Sequence, residues 1–211
     1  MDVIEAIGKR RSIRNYSDEP VEQKNVLELL DAAHAAPSGN NTQPWRFLVI
    51  EDPAMRGSLA RVCHGQQWMA TAPVHIVVCA DLEGRASTMT RFDEDTSGMD
   101  AKRAIRDTAI AVDHLMLRAV ELGLGTCWIG WYTQDEIRPL LGIPENIFVL
   151  GVIVVGRAAE NPKPRPRRPL AELVFSGFWG KPYLALNSPV PPTTSLESDA
   201  PTDYRADGSA R

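Results

Sequence analysis

Phe148-Val149-Leu150-Gly151-Val152-Ile153-Val154-Val155 is the most apolar run in the chain, and its reading decides the architecture. A strand with one wet face alternates polar and apolar residues. This run is apolar at every position but its glycine, so both faces of the strand are covered. Upstream of it, Thr133 and Glu136 form a capping-box pattern for a helix that Gly142 and Pro144 stop. Thr126 to Gly130 reads as a short strand. Before that, Ile105, Ala109, Val112, Met116, Ala119 and Leu122 recur at helical spacing in the longest helix, which Gly123 and Gly125 end. Many other positions of this helix are apolar too, which predicts burial on more than one side.

Toward the N-terminus, Val74 to Ala80 and Phe47 to Ile50 predict two more strands. Asp52-Pro53 caps and opens a helix with Met55, Leu59 and Val62 on one face. Val26, Leu30 and Ala33 place another helix over Glu22 to Ala35. Asp2 caps a short first helix whose apolar residues are Val3, Ile4 and Ile7. Glu83 to Asp100 is polar and without period, which predicts a mobile excursion. Strands alternate with helices through irregular connections, so the fold is α+β or α/β around one central mixed sheet. Beyond Gly156 the chain is rich in proline and arginine through Pro169, and a short apolar segment ends near Leu186. Residues 1–186 are therefore expected to form one domain. Residues 187–211, mostly Pro, Ser, Thr and Asp, are expected to be a disordered tail.

The chain has 211 residues, 44% of them hydrophobic and 24% charged, with a net charge of −4. That balance is ordinary for a globular protein and disfavours nucleic acid or an anionic membrane as the main partner. Any bound phosphate must be met by a few placed arginines rather than by a global field. Cys63, Cys79 and Cys127 are far apart, and no CxxC pair or metal-ligand spacing of histidines occurs, so no metal site is expected. Neither a secretory leader nor a long apolar span is evident, and the expected location is cytoplasmic.

Four segments carry the chemistry. Arg10, Arg11, Ser12 and Arg14 offer guanidinium forks and a hydroxyl that match phosphate oxygens, although a solvated basic turn has the same composition. Arg165, Arg167 and Arg168 are threaded with Pro164, Pro166 and Pro169, whose stiffness lowers the entropy lost on fixing a ligand; an exposed linker reads the same way. Pro37-Ser38-Gly39-Asn40-Asn41-Thr42-Gln43-Pro44 is a loop unusually rich in amides, able to meet a flat polar heterocycle. Gly123 to Gly130 ends a helix and opens a strand. Within it, Cys127 has no neighbouring base in sequence and reads as a small buried hydrophobe; Cys63-His64 reads as a helix end. No GxGxxG or GxxxxGK[ST] motif is present.

Taken in order, Arg10 to Tyr16, Ala36 to Trp45, Gly123 to Gly130 and the proline-arginine segment resemble the nitroreductase family, over roughly residues 1–185. The resemblance implies a three-layer α+β fold, a central mixed and mostly antiparallel sheet flanked by helices, in an intertwined homodimer with two FMN sites at the subunit interface. It implies that Arg10 and Ser12 hold the FMN phosphate with Arg165 and Arg167, with Arg168 in reserve if the register slips by one. Arg11 would lie beside the ribityl-phosphate, and Arg14 would face the pyrimidine edge. Pro37, Ser38, Gly39, Asn41 and, as a weaker match, Gln43 belong to the loop that meets the flavin from the other subunit. Ile129 and Gly130 match the segment near flavin N5. The implied activity is electron-pair transfer from NADH or NADPH to a small acceptor, nitroaromatic or quinone, by a ping-pong mechanism. The alternatives on the same fold are reductive dehalogenation, flavin fragmentation, a biosynthetic oxidation, or flavin binding without turnover. The charged stretch Arg85 to Asp100 and the tail beyond Leu186 match no motif of the family.

Overall fold

The computed structural model describes residues 1–82 and 96–183, with side chains described from 101 onward in the second stretch. The chain divides into two units, Met1–Pro162 and Lys163–Arg211. The expected tail at 187–211 lies outside the described residues.

In the first unit the strands are β1 (Trp45–Ile50), β2 (Val74–Asp81), β3 (Gly125–Ile129) and β4 (Ile147–Gly156). They form one sheet in the order β1-β2-β4-β3, with every neighbouring pair antiparallel. The helices are α1 (Val3–Lys9), α2 (Gln23–His34), α3 (Pro53–Val62), α4 (Thr96–Glu121) and α5 (Gln134–Leu141).

The apolar run 148–155 is the inner strand β4, and its neighbour β2 is buried along nearly its whole length. One face, through Val74, Ile76, Val78, Ile153 and Val155, packs on α2 and α4. The other, through Val77, Cys79, Val152 and Val154, packs on α3 and α5. That is helix, sheet, helix: the three layers that two covered faces require. The pairing of β2 with β4 slips between Val78, opposite Gly151, and Cys79, opposite Val149. Leu150 is thus an extra residue, a bulge that returns both Leu150 and Gly151 to the α4 side. Gly151 cannot carry a side chain there, because a Cβ would lie 2.4 Å from Trp128 Nε1. Beyond the end of β3, the Gln134 amide replaces the missing strand, donating to the Val149 carbonyl at 2.8 Å and accepting from its N–H at 2.9 Å.

Two expectations need correction. The excursion read as Glu83 to Asp100 ends earlier, since Thr96 already begins α4; residues 83–95 lie outside the described residues. The small residue Ala101 packs with Ala80 and Leu82, so alanine rather than a large apolar residue extends the buried face. The capping box is not formed: the Thr133 hydroxyl donates to the Glu136 carboxylate at 2.7 Å, and neither side chain caps a backbone N–H. In α1, capped by Asp2 as expected, the apolar residues Val3, Ile4 and Ile7 are 67%, 72% and 52% exposed, and only Ala6 is buried. The apolar side of this helix is turned outward among the described residues.

Candidate functional site

The arginine segment runs along the outer edge of β3. Ser12 bridges Thr126 in parallel, the Ile13 N–H donates to the Thr126 carbonyl at 2.9 Å, and Tyr16 bridges Ala158 beyond the end of β4. Gly125 is required at this contact: a Cβ would meet Ile13 Cγ1 at 2.7 Å. Ile13 and Tyr16 are buried and act as anchors, and the Tyr16 hydroxyl donates to the Ile13 carbonyl at 2.6 Å. Burial raises the Tyr16 pKa well above the phenolic range. Glu160 fixes the rest, one carboxylate oxygen accepting the N–H of Arg14 at 2.5 Å and of Asn15 at 3.1 Å.

With the backbone held, the side chains diverge. Arg10 is half-buried, and its guanidinium has no hydrogen-bond or ion-pair partner among the described residues. Arg11 turns back onto the end of α1, donating to the carbonyls of Gly8 at 2.7 Å and Arg10 at 2.8 Å. Arg14 is exposed, with its guanidinium carbon 5.8 Å from the centroid of the Trp68 ring. Cys127 lies beneath the segment. Burial raises its thiol pKa, opposed by the Arg14 charge, a hydrogen bond with Ser12 and the Arg10 charge. It is a buried, protonated neighbour rather than a nucleophile. Burial likewise pushes Cys63 and Cys79 up to about 12. Farther along the same strand, Ile129 is buried and Gly130 is exposed at its end.

The amide loop lies elsewhere. It contains a 3-10 turn, Gly39–Asn41, and Asn40, Asn41 and Gln43 all hold positive φ, at 54°, 54° and 47°. Such backbone is costly outside glycine and persists only where the surroundings enforce it. Here the Ser38 hydroxyl oxygen accepts the Gln43 N–H at 3.0 Å, and the carboxylate of Asp107, on α4, accepts the Gly39 N–H at 2.9 Å. Pro37 is exposed at the start of the loop.

Within one chain these two halves sit at opposite corners of the sheet. Trp45, where the loop enters β1, lies opposite Ala80 and hence Phe148, at the start of β4. Thr126 lies opposite Val155, near the end of β4 and on the other edge. At about 4.8 Å per strand and 3.3 Å per residue the corners are roughly 25–30 Å apart. In the second unit Arg165 and Arg167 are exposed and have no partner among the described residues, while the Arg168 Nε donates to Glu172 at 3.1 Å.

Sequence reasoning did not find Asp107, Glu160 or Trp68. Asp107 and Glu160 act on backbone groups remote in the chain, and no local pattern signals that. The run of amide residues, which tolerate left-handed backbone better than most, was the available sign of the loop's strained turns.

The profile of the nitroreductase family matches residues 7–67 and 58–157, and the chain belongs to that family. A putative NADH dehydrogenase/NAD(P)H nitroreductase of Archaeoglobus fulgidus is 35% identical over 159 residues, covering 74% of this chain and 84% of the relative. An FMN reductase [NAD(P)H] of Bacillus subtilis is 31% identical, covering 80% and 70%. The solved structure of an NADPH:FMN oxidoreductase from Vibrio harveyi, complexed with NAD+, superposes with a TM-score of 0.76 at 26% identity, covering 88% of this chain and 81% of that one.

Proposed function

We propose that this protein is a homodimeric oxidoreductase that binds FMN and passes electron pairs from NADH or NADPH to a small oxidised acceptor, a nitroaromatic or quinone, in ping-pong fashion. The carrying observation is the separation of two ligand-ready segments, each held by its own carboxylate, at opposite corners of one sheet. One cofactor cannot touch both corners of one chain. A twofold-related copy would bring its amide loop to the first chain's β3 edge and receive the other loop in return, making two equivalent sites. The exposed Val3, Ile4 and Ile7 of α1 support a second copy as the cover. Exposed Leu170, Leu173, Phe178 and Trp179 in the second unit support it as well.

The residues fit the cofactor. Arg10, half-buried and with a guanidinium unpaired among the described residues, is a cation of the kind a phosphate dianion satisfies, and the Ser12 hydroxyl stands beside it in the chain. Arg165 and Arg167, also unpaired, complete the phosphate ligands in this reading, in preference to Arg168, which Glu172 engages. Arg11, already bonded to two carbonyls, orients the turn beside the ribityl-phosphate. FMN, when bound, supplies the hydride chemistry, so no side-chain nucleophile or base is needed. Arg14, steadied over Trp68, faces the pyrimidine edge and favours the negative charge that reduction brings there. The Ile129–Gly130 backbone and the amide loop, with Ser38, Gly39, Asn41 and Gln43, border the ring.

Rapid mixing of the FMN-loaded protein with NADH or NADPH tests this reading. Prompt bleaching of the flavin band is expected, with recovery on adding a nitroarene or quinone. A monomer without affinity for FMN would overturn it.

A further inference from the structure

We infer that Asp107 is a positioning residue for the cofactor loop, acting through the Gly39 N–H to hold the amide turn in its ligand-ready form. The inference rests on the FMN reading above. Asp107 projects from α4 and is only 5% exposed, yet its Oδ2 reaches 2.9 Å from a backbone nitrogen 68 positions away in sequence. A carboxylate is not buried on a helix without cost unless it is hydrogen-bonded, and this bond joins it to the first residue of the 3-10 turn. The next two residues, Asn40 and Asn41, and then Gln43 hold left-handed backbone. A free loop would relax out of three such conformations. The bonds from Gly39 to Asp107 and from Gln43 to Ser38 brace the strained stretch at both ends. Ordering the loop in advance removes an entropy cost that ligand binding would otherwise carry. Its longer-range brace comes from a helix that also packs on the sheet, so the loop takes its position from the core.

Charge and hydrogen bonding separate experimentally. Asp107→Asn keeps an acceptor oxygen and removes the charge; Asp107→Ser withdraws the acceptor beyond reach of Gly39. Asp107→Ala deletes the acceptor outright and, with the strongest helix former in its place, leaves α4 intact. The measurements are hydrogen exchange of the 39–43 amides in the apoprotein and FMN affinity by fluorescence quenching.

Asp107→Ser and Asp107→Ala should each speed exchange of the loop amides about tenfold or more and weaken FMN binding by a similar factor, with α4 exchange unchanged. Asp107→Asn should retain most of both properties. If Asp107→Ser does not fold, Asp107→Ala decides alone. Unchanged loop exchange and unchanged FMN affinity in a folded removal variant would overturn the inference, as would an Asp107→Asn protein as impaired as Asp107→Ser. Wild-type protein that fails to bind FMN would overturn the functional reading instead, and the exchange data would still decide the brace.

Discussion

Lowering the pH should destabilise this protein through one histidine. His75 sits in β2, fully buried, with Nε2 2.8 Å from the Met69 carbonyl and Nδ1 buried without a partner among the described residues. Only the neutral ring with its proton on Nε2 suits that setting. A second proton would create a donor on Nδ1 with nothing to accept it, near the Arg56 guanidinium that donates to the carbonyls of Ala70 and Ala72. Burial is the main cause that lowers the His75 pKa from 6.5 to about 4, and the Arg56 charge adds to it. Between those values the unfolded chain holds a proton that the folded chain refuses, so stability is full above about pH 6.5 and falls as the pH falls toward about 4. At about 1.4 kcal/mol per pH unit, about 2 kcal/mol is lost by pH 5 and about 3 kcal/mol by pH 4. Urea unfolding of wild type and His75→Leu from pH 7.5 to 4.5 isolates the effect, because carboxylate contributions common to both cancel in the difference. The variant should be no more stable than wild type at pH 7.5, having left the Met69 carbonyl unpaired, and the gap should move in the variant's favour as pH falls. A difference that stays flat between pH 7.5 and 4.5 would refute the argument.

Other changes test the frame that carries the site. Gly151→Ala should cost about 1–3 kcal/mol in urea unfolding, because its Cβ would displace the Trp128 indole. Gly125→Ala should lower FMN affinity as well as stability, since the clash falls on Ile13, the anchor of the arginine segment; loss of stability with unchanged affinity would contradict that link. Glu160→Ala should weaken FMN binding several-fold in a fluorescence titration, with little change in melting temperature, because the lost acceptor serves the exposed Arg14–Asn15 backbone.

The strands and helices were legible where burial imposes a period. β4, β2 and the main part of α4 follow directly from runs of apolar residues, because such runs fold only where both faces find cover. The Asp52 cap of α3 was equally plain, since its side chain bonds the Met55 N–H three residues on, a purely local event. The capping box failed for the opposite reason: two polar side chains had each other as an alternative, and the pattern cannot express that choice. The exposure of the apolar residues of α1 was not legible, because periodicity reports which residues are apolar, not what covers them.

By itself the sequence determined the chemistry on offer: guanidiniums, a hydroxyl, an amide-rich turn, a buried central strand and a family resemblance resting on their order. Tertiary structure alone decided that Asp107 and Glu160 brace the two ligand segments, that three amide residues take left-handed backbone, and that the segments stand at opposite corners of the sheet. The physical reason is range. Caps and periods are set by neighbours within a few positions, whereas a carboxylate that accepts a backbone proton from a distant loop is set by how whole layers pack.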